Sequence, residues 1–437
     1  MIFRKSLSWL AAPALLVSGT VAAAQDSVSE PSAAVPQQSA LEARADQVID
    51  FLNGKTPPEA IFSDGFLAAV PPAQLAALVK QITAQNGAAV AVESLDPPQG
   101  PRATISVRLE KAMVSGVIGI DPAQDNRISE LLFQDIAPLE DSPEKISADL
   151  AALPGVTNAL FARLDRLDQP VFAHNSDQSQ ALGSTFKLYV LSALSKAISQ
   201  GAHDWDEVIR LEQVSFPSGQ MQDWPIGSPV TLHTLATLMI SISDNTATDQ
   251  LISFLGREAV EAELLASGNS DPSRTIPLLK TRELFAMRGV SDGFIDAYRE
   301  ASDADQRAIL AKLKEDDVSI EQIQQTFASD VPGAIDIEWF ASPRDLAGLL
   351  DRIAKRGDET ALAIMNVRPQ LSERELANWA YAGFKGGSEP GVLNLTWLLR
   401  DTDGASWIMT AGWNNPDASI ETSTLRAIAQ RIMALKP

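Results

Sequence analysis

The chain has 437 residues, 45% of them hydrophobic, with 35 basic against 56 acidic side chains and a formal net charge of −21. So acidic a chain is a poor match for a nucleic-acid backbone, and no nucleic-acid partner is expected. It contains no cysteine and only three histidines, His174, His203 and His233. Disulfides, a thiol nucleophile and a Cys-anchored lipid are therefore excluded, and no metal or other cofactor is expected.

Residues 1–24 read as a secretory signal peptide. Arg4 and Lys5 form a basic start, "LSWLAAPALLV" is the apolar stretch, and Ala22-Ala23-Ala24 gives a small-residue cleavage site. Export to the periplasm follows, with cleavage near Ala24 and no membrane span afterwards. Residues 25–40 lack apolar periodicity and read as a flexible tether. From 41 to 140, helical runs such as "LEARADQVIDFLNG" precede four strand-like runs, "AAVAVESL", "ATISVRLEKA", "MVSGVIGID" and "RISELLFQDI". Helices followed by strands predict a small α+β domain with a curved antiparallel sheet. No catalytic constellation occurs in it, which favours a structural or gating role.

"IAPLEDSPEKI" marks the boundary, with Ser142 capping a helix that starts at Pro143. The second domain, 141–437, begins with two strand-like runs, "TNALFARLDRL" and "QPVFAHNS". A long helical region follows, then three more strands, "YAGFKGG", "VLNLTWLLRD" and "ASWIMTAGWN", and a closing helix. That order predicts an antiparallel sheet covered by helices.

"ALGSTFKLYVLSAL" places a lysine on an apolar stripe. Ser184, Lys187, Leu191, Leu194 and Ile198 fall within roughly 80° of one helix face. A lysine buried there is a poised base beside a hydroxyl nucleophile, or else snorkels to solvent. Ser142–Lys145 has the same S-x-x-K spacing in a polar helix start, so spacing alone means little. Downstream lie Ser243-Asp244-Asn245, 59 residues after Ser184, and Lys385-Gly386-Gly387-Ser388.

S-x-x-K, S-D-N and a K-T-G-like triplet in this order resemble the serine β-lactamase and penicillin-binding protein superfamily, class A type. The segments "ALGSTFKLYVL", "VTLHTLATLMISISDNTATDQLI" and "WFASPRDLAGLLDRI" carry the likeness, which spans about 150–437. The resemblance implies Ser184 as acylated nucleophile, Lys187 as base, Ser243 as proton relay and Lys385 as its support near a substrate carboxylate. It places Asn245 on Lys187 and the substrate amide, and the Ser184 and Ser388 N–H groups, beside Gly387, in an oxyanion hole. Arg426 is the expected second carboxylate anchor, with Arg400 competing.

Two features depart from the pattern. Gly386 stands where the family carries Thr or Ser. No E-x-x-L-N segment supplies a Glu for the deacylating water; Glu261, Glu263 and Glu283 lie in the stretch without that context. An acidic helical insertion around 286–335 lies there instead. These features resemble two-domain β-lactamase-like proteins associated with clavulanic acid biosynthesis, whose first domain is similar to a steroid-isomerase or cyclase fold. The resemblance implies a serine hydrolase for a small acyl substrate, whether a β-lactam, an ester or a cell-wall peptide. A slowly deacylating penicillin-binding peptidase, an esterase and a non-turnover acyl-binding sensor remain alternatives.

Overall fold

The computed structural model describes residues 37–435 apart from 97–100, 140, 290–291, 314–330 and 372. The expected signal peptide and most of the expected tether lie outside the described residues. Where the tether was expected to reach 40, a helix already begins at Gln37. The chain divides into two compact units, one comprising Met1–Leu109 with Ser115–Phe133, the other Glu110–Val114 with Gln134–Pro437.

In the first unit the helix Gln37–Leu52 buries Leu41, Ala45, Val48 and Leu52, the spacing of a single helix face. A second long helix, Pro72–Asn86, ends at Gly87, whose φ of 80° is one that glycine adopts without steric cost. The strands Ala89–Asp96 and Arg102–Leu109 follow, and then Ala112–Asp121 and Arg127–Pro138, each of which is divided between the two units. The first two run antiparallel, and Ile105, Val107 and Leu109 alternate inward.

The second unit is built on a five-stranded antiparallel sheet. Its order is Tyr381–Glu389, Val392–Arg400, Ser406–Asn414, Val156–Arg163, Phe172–His174. Both faces are covered, so alternate residues of one strand enter different cores. Ala159 and Phe161 join Trp397, Trp407, Leu425 and Ile428 under the helices Pro143–Ala151 and Thr422–Ala434. Leu160 and Ala162 join the larger core on the other face, with the helices Lys187–Ser199, Leu232–Ser241, Asn245–Leu255 and Pro343–Arg356. The fold is α+β, with an antiparallel sheet covered by helices in the second unit and an additional unit before it, as the sequence implied.

Local chemistry explains the ends of these elements. Ser142 caps its helix by accepting from the Lys145 N–H at 3.2 Å, so this S-x-x-K is a plain cap. Ser342 and Asp345 form a capping box at the start of Pro343–Arg356. Two refinements of the sequence reading follow. Ser184 lies in a 3₁₀ turn, Gly183–Phe186, and the α-helix begins only at Lys187. That helix has no solvent face over its first part, because Lys187 to Ser195 are all buried, as befits the central helix of a core.

Candidate active site

Three elements converge at Ser184. The 3₁₀ turn holds Ser184 partly exposed at the mouth of the core, while Lys187, one turn on, is fully buried. Lys187 Nζ donates to the Ser243 carbonyl at 2.7 Å and to Asn245 Oδ1 at 2.7 Å, and lies 3.1 Å from Ser243 Oγ. None of these partners is charged. Burial pushes the amine down to about 7, against a smaller opposing pull from Asp244, Asp249 and Glu389.

Ser243 is held in the left-handed region at φ 59°, a conformation that costs energy for a side chain with a Cβ. Asp244 secures it. This fully buried residue caps the helix Asn245–Leu255 through the Ala247 N–H at 2.9 Å, and its other oxygen accepts from Gln220 and Met221 N–H groups. Gly219 permits that approach: a Cβ there would sit 2.4 Å from the Asp244 carboxyl, at a φ of 116°. Asn245 Nδ2 reaches the Phe216 carbonyl at 3.3 Å, and its N–H reaches Ser218 O at 2.9 Å.

Lys385 comes from the edge strand. Its Nζ lies 3.1 Å from Ser243 Oγ and donates to the Gly386 carbonyl; burial, and then Lys187, push it well below the ordinary lysine range. Two residues on, Gly387 abuts the nucleophile turn: a Cβ there would lie 2.0 Å from Leu182 O and 2.6 Å from the Ser184 N atom. Gly183 in turn lies against Gly387 and the Ser388 N atom, each 3.3 Å from where its own Cβ would be. The Ser184 and Ser388 N–H groups thus belong to two abutting backbone segments, and Ser388 is exposed at the rim. At Gly386 a Cβ would meet Phe384 Cζ at 2.9 Å, so the ring of Phe384 crowds the place a side chain would take there.

The structure brings together Ser184, Lys187, Ser243, Asn245, Lys385, Gly387 and Ser388. It does not bring Arg426 with them. Arg426 sits on the helix packed against the sheet face that Phe384 enters, and its Nη2 donates to the Gln370 carbonyl at 2.8 Å. Arg400 lies over the Tyr381 ring, at the far end of the edge strand, with 5.7 Å from Cζ to the ring centroid.

Glu261, Glu263 and Glu283 are engaged elsewhere. Glu263, fully buried, accepts from Ser192, Arg352 and Arg356; burial alone would raise its carboxyl, but these bonds outweigh it and hold it at about 2. Glu261 accepts from the Leu278 N–H and Arg307, and Glu283 from Arg257 and the Lys280 N–H. Of the expected insertion, the helices Asp292–Glu300 and Asp303–Lys312 are described, and 314–330 lie outside the described residues.

Sequence reasoning missed Asp249, which is buried on the same helix as Asn245 and accepts from the Thr281 and Arg282 N–H groups and from Ser215 Oγ. It also missed the buried group Arg288, Glu338 and Glu389, whose members are too far apart in the chain for any spacing signal. His174 is bonded between Ser147 and Thr157, and no cluster of three metal-ligand side chains occurs among the described residues. No described helix is long and apolar enough to cross a membrane.

Residues 142–435 match the beta-lactamase enzyme family. No curated protein matches the chain. Similar solved structures include PBP-A, at 19% identity over 67% of this chain and 94% of that one, with a TM-score of 0.46. A beta-lactamase from Sphaerobacter thermophilus is similar at 21% identity over the same shares, with a TM-score of 0.46. One from Francisella tularensis is similar at 12%, over 67% and 97%, with a TM-score of 0.47.

Proposed function

The chain belongs to the beta-lactamase enzyme family, and on that premise we propose that it is an exported serine hydrolase acylated at Ser184 by a β-lactam or a related small acyl compound. The observation that carries this reading is Lys187, a fully buried lysine whose direct partners are two carbonyl oxygens and a hydroxyl. The two carbonyl oxygens take two N–H bonds, which a neutral amine can supply while keeping its lone pair.

The chemistry then runs as follows. Ser184 Oγ attacks the acyl carbon as its proton passes to Lys187 Nζ. The carbonyl oxygen becomes an oxyanion facing the Ser184 and Ser388 N–H groups, donors already fixed in place. Collapse of that adduct breaks the C–N bond of a lactam, or the C–O bond of an ester. The leaving atom takes its proton from Ser243 Oγ–H, which Lys187 or Lys385 re-supplies. Water later cleaves the Ser184 ester and restores the hydroxyl.

The engagement of Glu261, Glu263 and Glu283 away from Ser184 favours a second feature, slow deacylation, which would give the protein the behaviour of a penicillin-binding protein or an acyl sensor. Intact-protein mass spectrometry with a penicillin, followed over time beside Ser184→Ala, tests both features. A wild-type adduct absent from Ser184→Ala supports the nucleophile, and its lifetime reports deacylation. Absence of any adduct, with a penicillin and with a panel of activated esters, would refute the assignment.

A further inference from the structure

Arg288 leaves the helix Thr281–Gly289 and enters a closed pocket in which its side chain is 6% exposed. Nη1 donates to Glu389 Oε2, and Nη2 to Glu338 Oε1 at 2.8 Å; Nη2 also lies 3.4 Å from the Ala334 and Ile337 carbonyls. The two carboxylates sit on different walls of the candidate site. Glu389 directly follows Ser388 on the edge strand. Glu338 directly precedes Trp339, whose carbonyl accepts from the Leu182 N–H at 2.9 Å and whose indole stacks on Phe186 with centroids 3.7 Å apart. Leu182 and Phe186 bracket the turn that carries Ser184.

One guanidinium therefore bridges the strand that carries Ser388 and the segment, through Trp339, that packs against the Ser184 turn. Placing three charged groups in a core is costly, and such clusters are often no more stabilising than an apolar replacement of the same shape. Burial, and then the neighbouring Glu389, push the Glu338 carboxyl up against a smaller opposing pull from Arg288, while Glu389 and Glu338 together favour the charge on Arg288. Its bonds are geometrically specific, with one arm of the fork on each wall.

We propose that Arg288 is a positioning residue that sets the separation of the two oxyanion donors, Ser184 N–H and Ser388 N–H. This rests on the reading of Ser184 as the acylated nucleophile. The acyl transfer itself is unchanged, and Arg288 touches neither substrate nor reacting atoms.

The test uses the full chain and a matched pair of nitrophenyl esters, one with a C=O and one with a C=S at the acyl carbon. Sulfur is a poor hydrogen-bond acceptor, so the thiono compound draws little from the donors. Acylation rate constants, KM and melting temperature are measured for the wild type, Arg288→Lys and Glu389→Gln, with Ser184→Ala as the blank. The expected result is a loss of about tenfold or more in oxo-ester acylation, since misplacing a donor forfeits much of its effect. The oxo-to-thiono ratio should fall by about the same factor, with KM within about twofold. Equal losses on both esters, or an unchanged ratio in a variant that still melts cooperatively, would overturn the inference and leave the cluster a structural anchor. A wild type no faster than Ser184→Ala would fail earlier, at the nucleophile, and take this inference with it.

Discussion

Lys187 and Lys385 converge on a single oxygen, each with its Nζ 3.1 Å from Ser243 Oγ. Two buried ammonium groups sharing one hydroxyl repel each other, and burial disfavours the charge on each. Both are pushed down, Lys187 to about 7. Ser243 Oγ is thus the one hydroxyl that both amines share.

The first prediction concerns rate against pH. In the proposed mechanism the base form of Lys187 takes the serine proton, so acylation of the wild type by a neutral ester should rise with pH through about 7 and then level off. Single-turnover rates between pH 5 and 9 measure it. A flat profile would mean that Lys187 is not the base.

Stability carries the same signature. Unfolding returns Lys187 from about 7 to an ordinary 10.5, so between those values the unfolded chain holds more protons. Stability must therefore rise with pH across that window, and the opposing cost is fully present below pH 7. The difference between wild type and Lys187→Met in urea unfolding should shift in favour of the wild type from pH 7 to pH 9. Removing Lys187 also relieves Lys385, which adds to the shift in the same direction.

Gly387→Ala should separate the strand from the nucleophile turn, because the new methyl would lie 2.0 Å from a backbone oxygen. The expected cost is about 3 kcal/mol in stability, typical of overpacking, and a loss of acylation of about 100-fold. At Gly386 a Cβ would meet the Phe384 ring at 2.9 Å and the Asn394 carbonyl at 3.3 Å, so Gly386→Thr should cost less on both measures. Chemical denaturation and adduct formation on the two variants decide the order.

Glu263→Gln should lower stability without changing the lifetime of the acyl adduct. Its carboxyl is held at about 2 by Arg352, Ser192 and Arg356 against the effect of burial, so its contribution is present above about 4.5 and is lost as pH falls toward 2. Breaking such a buried cluster costs about 3 kcal/mol. A variant with normal stability and a longer-lived adduct would instead place Glu263 in deacylation.

Much of this was legible in the chain. The strands of both units, the cap at Ser142 and the order of the three motifs depend on local patterns that need no tertiary information. Lys187 stood out because an apolar stripe cannot absorb a cation. Arg426 was expected from the resemblance and its place at the start of the last helix, neither of which says which sheet face that helix covers. The 3₁₀ turn escaped because a helical period assigns Ser184 and Lys187 to one element. The Arg288 group was invisible for a simpler reason: its members come from three segments that only the finished fold brings together.

The register of the central sheet has a kinetic consequence. Val156–Arg163, just before the nucleophile, pairs with Ser406–Asn414 near the end of the unit, and Gly183 waits on Gly387 across a similar span. Such long loops close slowly, and their entropy must be met before the contacts that reward it form. No early fragment of the chain can possess the donor pair, so the first competent molecule is one whose sheet has already closed. Capacity for acylation would then serve as a clock for folding that starts only once the sheet has closed.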